Sequence, residues 1–170
     1  MKGFIQVYTG NGKGKTTAAL GLAIRAAGAG LHVFIAQFVK GIKTGEPESL
    51  KKLESNITIR QYGCSEFVTT PGRRDKELAA NGISGVKEAI ISGEYDVVIL
   101  DEANIAVDLN LCAVEDIIDI LDMKPENIEI IITGRNAHPL ILERADLITE
   151  MKDIKHYYKK GIQARKGIEK

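Results

Sequence analysis

The stretch that decides the fold is Phe4-Ile5-Gln6-Val7-Tyr8-Thr9-Gly10-Asn11-Gly12-Lys13-Gly14-Lys15-Thr16-Thr17-Ala18-Ala19-Leu20. A short β-rich run leads into alternating glycines, then Gly-Lys-Thr, then a segment of helical composition. Glycines let the backbone turn so that successive amide N–H groups converge, and a helix starting there presents its positive end to the same spot. Phosphate is the natural occupant. Lys15 can reach the oxygens of a polyphosphate, and the Thr16 hydroxyl can ligate Mg²⁺. Against the common G-x-x-x-x-G-K-[ST] spacing, Thr9 stands where the first glycine is expected and Gly10 comes one residue late, which marks a specialised loop.

Outward from this loop, β-rich runs at 4–8, 32–38, 57–62, 96–100, 128–133 and 147–151 alternate with helix-compatible stretches, the pattern of a parallel sheet covered by helices. The continuous apolar runs Val97-Val98-Ile99-Leu100 and Ile128 to Ile132 predict central strands buried on both faces. Leu20, Ile24 and Ala27 are expected on one face of the first helix. Ala79, Ile83, Val86 and Ile90 predict a second helix, which Gly82 and Gly85 weaken, and Val114, Ile117, Ile118 and Leu121 predict a third. The expected architecture is one α/β domain over residues 1–170, with a mostly parallel sheet flanked by helices.

Composition narrows the class. Lys plus Arg and Asp plus Glu both total 23, so the chain has no basic excess of the kind a general nucleic-acid binder carries. Cys64 and Cys112 are too few for a disulfide framework and lack metal-ligand spacing, which predicts a reducing, cytoplasmic setting. No run reaches the roughly 20 apolar residues that span a bilayer, and no signal-peptide core follows Met1. The segment 152–170 carries Lys152, Lys155, Lys159, Lys160, Arg165, Lys166 and Lys170 against Asp153 and Glu169, a net of plus five. Composition alone reads it as a solvated tail; the alternative is an arm folding back towards an anionic ligand.

Two further elements belong at the sheet edge where parallel strands end. Leu100-Asp101-Glu102 puts two carboxylates there, of which at least one is expected to coordinate Mg²⁺ rather than merely cap a helix. Thr133-Gly134-Arg135 adds a guanidinium able to grip a phosphate oxygen. His32 and His138 have no partners suggesting a metal site. No Cys/His or Ser/His/Asp set points to covalent catalysis.

In these residues the chain resembles the P-loop ATP:corrinoid adenosyltransferases, of the cob(I)alamin and cob(I)yrinic acid a,c-diamide type. The resemblance lies in Thr9 to Ala19, Gln37-Phe38-Val39-Lys40-Gly41, Leu100-Asp101-Glu102, Thr133-Gly134-Arg135, Ala145-Asp146-Leu147 with Glu150-Met151, and Lys155-His156 followed by Gly161-Ile162 and Gly167-Ile168-Glu169. These blocks stand in family order along the chain, and the shortened loop is typical of the family.

The resemblance implies a RecA-like P-loop domain, a homodimer, and adenosyl transfer from ATP to a reduced corrinoid with release of triphosphate. It implies that Gly10, Asn11, Gly12, Lys13, Gly14, Lys15, Thr16 and Thr17 cradle the triphosphate with Arg135 nearby, Lys13 and Lys15 offsetting its charge. Thr16 and Glu102 would hold Mg²⁺ with Asp101 behind them, and the phosphates would lie reversed relative to other P-loop proteins. A flavoprotein reductase or similar electron donor would supply the reduced corrinoid. Co(I) is a strong nucleophile, so the protein need only position the reactants in line and stabilise the leaving charge. The family's aromatic pair after the third strand has no counterpart: that stretch reads Gly63-Cys64-Ser65-Glu66-Phe67-Val68, leaving Phe67 as the aromatic for handling the cobalt's lower ligand. The basic tail or the loop 40–46 would cover the site. Two alternatives are weighed. A thymidine-kinase-like enzyme expects a full-length loop and a four-cysteine zinc site, and a regulatory ATPase module expects a water-positioning residue.

Overall fold

The two long apolar runs become β4 (Val97–Asp101) and β5 (Glu129–Thr133), neighbours in the middle of a six-stranded sheet of order β3-β2-β4-β5-β1-β6. The computed structural model describes residues 2–39, 49–50, 55–64 and 71–168. The remaining strands are β1 (Ile5–Thr9), β2 (Val33–Phe38), β3 (Ile57–Tyr62) and β6 (Leu147–Glu150), and every pairing is parallel. Parallel neighbours need crossovers, which here run through α1 (Lys15–Gly28), α2 (Arg73–Ser92), α3 (Ala103–Asp108) with α4 (Val114–Asp122), and α5 (Pro139–Arg144). All strand C-termini therefore lie along one edge, with the Gly10–Gly14 loop between β1 and α1. None of the described helices is long and apolar enough to cross a membrane.

The sheet separates two apolar layers, and the strand period of two assigns residues to them. Val33, Ile35, Val97, Ile99 and Ile131 face α1, packing with Ala19, Leu20, Ala23 and Ala26. Phe34, Ala36, Phe38, Val98, Leu100, Ile130 and Ile132 face the other way, against Ile83, Val86, Ile117 and Ile120 of α2 and α4. The same odd parity carried to the strand ends puts Gln37, Asp101 and Thr133 on the side of α1, beneath the Gly10–Gly14 loop.

The structure corrects one helical face. Ile24, expected to pack with Leu20 and Ala27, is 52% exposed, and α1 instead buries the alanine stripe at 19, 23 and 26. Small side chains let the helix lie close on the sheet, with the start of α1 at the strand C-termini, where Thr16 bonds Asp101. The six-residue helices α3 and α5 are too short for a periodicity reading.

Gly82 and Gly85, which lower the intrinsic helicity of α2, have a packing reason. A Cβ on Gly82 would stand 2.6 Å from the Phe38 ring, and one on Gly85 would overlap the Tyr62 hydroxyl oxygen. The glycines thus let the helix seat on two aromatic rings 6.2 Å apart at the ends of β2 and β3. Alanine at either site should gain about 1 kcal/mol of helix propensity and still destabilise the protein net, by about 1–3 kcal/mol at Gly82. Urea midpoints of Gly82→Ala, Gly85→Ala and Gly85→Ala/Tyr62→Phe test this. Removing the Tyr62 hydroxyl should recover stability in the Gly85→Ala background; a Gly85→Ala protein more stable than the parent would contradict the packing account.

Candidate functional site

Lys15 begins α1 and is buried, an unusual place for a lysine. Its ammonium donates to the carbonyl oxygens of Gly10 and Gly12, each at 2.7 Å, so the side chain folds back and braces the loop from within. Burial pushes its pKa below the ordinary lysine value, Glu102 nearby raises it, and Arg135 lowers it further. The first turn of α1 carries no acidic residue and its N-cap is Gly14, so the positive helix end meets no side-chain carboxylate of its own turn.

The second component is a buried polar chain across four strands. Asp101 is wholly buried, and its Oδ1 accepts from the Thr16 hydroxyl at 2.8 Å and the Thr133 hydroxyl at 2.7 Å. Its Oδ2 accepts from the Gln37 amide at 3.0 Å, and Gln61 donates to Gln37 at 3.1 Å. The register makes this possible, because Gln37 pairs with Asp101 and Gln61 with Gln37 across β4, β2 and β3. The Glu102 amide donates to Thr133 Oγ1, and Glu102 itself sits at φ 61°. Val39, just past β2, has φ 59°, a conformation that a β-branched residue adopts only when its surroundings impose it. Two strained residues thus flank the same edge.

The third component is the chain after β6. The Gly12 amide donates to the Met151 carbonyl at 2.6 Å, and a Cβ on Gly10 or Gly12 would lie 2.5 or 2.7 Å from that oxygen. Glycine at these positions is therefore needed for the approach of another backbone. Beyond Met151 the chain turns back instead of trailing away. Lys13 Nζ donates to the Ile168 carbonyl at 2.9 Å and contacts the Tyr157 hydroxyl at 3.4 Å. Of the two readings of the basic segment, the structure shows the folded arm.

Thus Gly10, Asn11, Gly12, Lys13, Gly14, Lys15, Thr16 and Thr17 form one continuous loop and helix start, with Asp101 bonded to Thr16, and Glu102 and Arg135 close enough to act on Lys15. Phe67 and the loop 40–46 lie outside the described residues. Gln37, Gln61, Thr133, Asn104 and Met151 were not singled out as site residues by sequence reasoning. Strand parity could have found Gln37 and Thr133, whereas Met151 acts through its backbone and leaves no side-chain signal. Asn104 is buried, donates to the Gly134 carbonyl at 3.2 Å, and leaves its Oδ1 without a partner among the described residues.

A glycine loop between β1 and a helix, beside a carboxylate at the end of a parallel strand, is the arrangement of the P-loop nucleotide-binding fold. A solved structure of the RadB recombinase shares this RecA-like fold, with a TM-score of 0.56 at 17% identity, covering 91% of this chain and 77% of that one. The family model described as ATP:corrinoid adenosyltransferase BtuR/CobO/CobP matches residues 1–169, and the chain belongs to that family. The corrinoid adenosyltransferase of Escherichia coli K12 is 36% identical over 170 residues, covering 99% of this chain and 86% of the relative. The corrinoid adenosyltransferase CobA of Salmonella typhimurium LT2 is 36% identical over 174 residues, covering 99% and 86%.

Two measurements address the geometry. In an NMR titration of ¹⁵Nζ-labelled lysines, Lys15 should lose its proton at lower pH than the exposed lysines, and added triphosphate should raise its midpoint; a midpoint among the surface lysines would contradict its buried, braced position. Because the folded value lies below the unfolded one, this residue makes stability increase with pH through that window. Asp101→Asn keeps the shape but offers an amide donor to one of the donors now facing Asp101. It should lower stability by about 1–3 kcal/mol, read from the urea midpoint.

Proposed function

We propose that this protein transfers the 5′-deoxyadenosyl group of ATP to the Co(I) of a reduced corrinoid and releases triphosphate. One domain, residues 1–170, carries the whole site in this reading. The observation that carries the reading is the loop Gly10–Thr16 with Lys15 braced inside it, in a chain that belongs to the corrinoid adenosyltransferase family. Co(I) donates an electron pair to the ribose C5′, the C5′–O bond breaks, and its pair leaves with the triphosphate as cobalt becomes Co(III). No proton need be removed from the nucleophile, so the protein's work is orientation and charge stabilisation. Lys15 and Lys13, with the loop amides and the positive end of α1, supply the stabilisation, and Arg135 adds to it from the neighbouring strand end. An electron donor, by resemblance a flavoprotein reductase, provides the Co(I) state.

The residues present fit Mg²⁺. Thr16 donates its hydroxyl proton to Asp101, and its oxygen together with the Glu102 carboxylate is the kind of hard oxygen set that Mg²⁺ takes. Mg²⁺ commonly takes one or two protein ligands and completes its shell with phosphate oxygens and water. When bound, it would neutralise part of the triphosphate charge. Thr16 and Glu102 would hold it, and Asp101 would orient Thr16.

An anaerobic assay with Mg-ATP and chemically reduced cobalamin tests the reading. A light-sensitive cobalt–carbon product should appear together with triphosphate; ADP and phosphate without a corrinoid product would refute it and favour a kinase or ATPase. Lys15→Ala should reduce transfer by about 10²-fold or more, the scale of losing one group aimed at the leaving charge. Phe67→Ala should slow reaction with reductase-coupled cob(II)alamin more than with preformed cob(I)alamin.

A further inference from the structure

Residues 156–168 make contacts of their own and return to the Gly10–Gly14 loop. A 3₁₀ turn at Tyr157–Lys160 is capped by the His156 ring, whose Nδ1 accepts from the Tyr158 amide at 3.1 Å, and Lys159 pairs with Asp153 at 2.7 Å. The Arg165 guanidinium lies over the Tyr157 ring at 5.0 Å. The arm meets the phosphate loop through Lys13, whose ammonium bonds the Ile168 carbonyl and contacts the Tyr157 hydroxyl. Between them is a cleft of about 570 Å³, with Lys13, Gly14, Thr17 and Ala18 on one side and Gly167 and Ile168 on the other. It opens beside the positive end of α1, and residues 152–168 carry a net charge of plus five.

We propose that this arm is part of the nucleotide site. Tyr157 and the Ile168 carbonyl hold Lys13 at the cleft, and on binding its ammonium turns to the phosphates of a linear polyphosphate. Because the arm keeps the lysine in place beforehand, less of its freedom is lost when the ligand binds. Tyr157 is thus a positioning residue that acts through Lys13. The inference rests on reading the loop as a polyphosphate site, and extends it to a segment more than 140 positions away in sequence, as the Lys13 to Tyr157 separation of 144 shows.

Calorimetric titration of the full chain with inorganic triphosphate and with Mg-ATP, without corrinoid, is the test. It is run at roughly 0.3 M KCl, so that long-range attraction by the tail is largely screened. Ending the chain after Gly161 should weaken both ligands about tenfold, and Tyr157→Phe about threefold, the scale of one lost aiming contact. In the Lys13→Ala background Tyr157→Phe should cost less than twofold more, because the two residues act as a unit. A merely structural tyrosine would weaken binding equally in both backgrounds, and that result would overturn the proposal. So would affinities within twofold of the parent for both the shortened chain and Tyr157→Phe. If the intact chain bound neither ligand, the nucleotide reading itself would fail, and this inference with it.

Discussion

Asp101 is the point on which the site depends. A carboxylate with no exposed surface is costly to bury unless donors surround it, and its donors come from α1, β2 and β5. None of these elements can shift without unpairing a buried group. The carboxylate therefore ties the start of the phosphate-loop helix to the central strands and, through Gln37, to Gln61 near the sheet's edge. The arrangement couples two usually separate demands: the network that makes the core unique is the network that fixes the Thr16 hydroxyl.

The strain at Glu102 and Val39 fits the same logic. Both sit one residue past adjacent strands, where the chain must leave the sheet sharply to keep the edge open. A left-handed valine costs on the order of 1–3 kcal/mol, which the buried network and the packing of β2 between β3 and β4 can hold.

The sheet was legible because its information is local and repeated. The apolar runs at 97–100 and 128–132 could only be strands covered on both faces, and Gly-Lys-Thr between a strand and a helix had one sensible place to go. The face of α1 was misread because a bulky residue counts heavily in a periodicity argument, while burial favoured alanines that allow close approach. The glycines of α2 read as weaknesses because their partners, Phe38 and Tyr62, lie on other elements. Asp101 and Thr16 were found by type and position, whereas Gln37 stood only inside a family block and Gln61 only inside a β-rich run, and their bonding to each other and to Asp101 comes from strand register. The fate of the basic segment was equally invisible. Charge alone does not distinguish a solvated tail from an arm, and the contacts that decide it are a backbone carbonyl and a tyrosine hydroxyl.

The contact between the Gly12 amide and the Met151 carbonyl also orders events in time. The loop that carries the functional signature is made among the first residues of the chain, whereas the strand and arm that shape it come at the far end, with Lys13 and Ile168 separated by 155 positions. Closing so long a loop is slow relative to local helix formation, and a chain emerging from the ribosome folds what it has. A growing chain would therefore possess the glycines and the lysines long before it possessed a finished cradle, and the capacity to hold a nucleotide would be acquired late in synthesis.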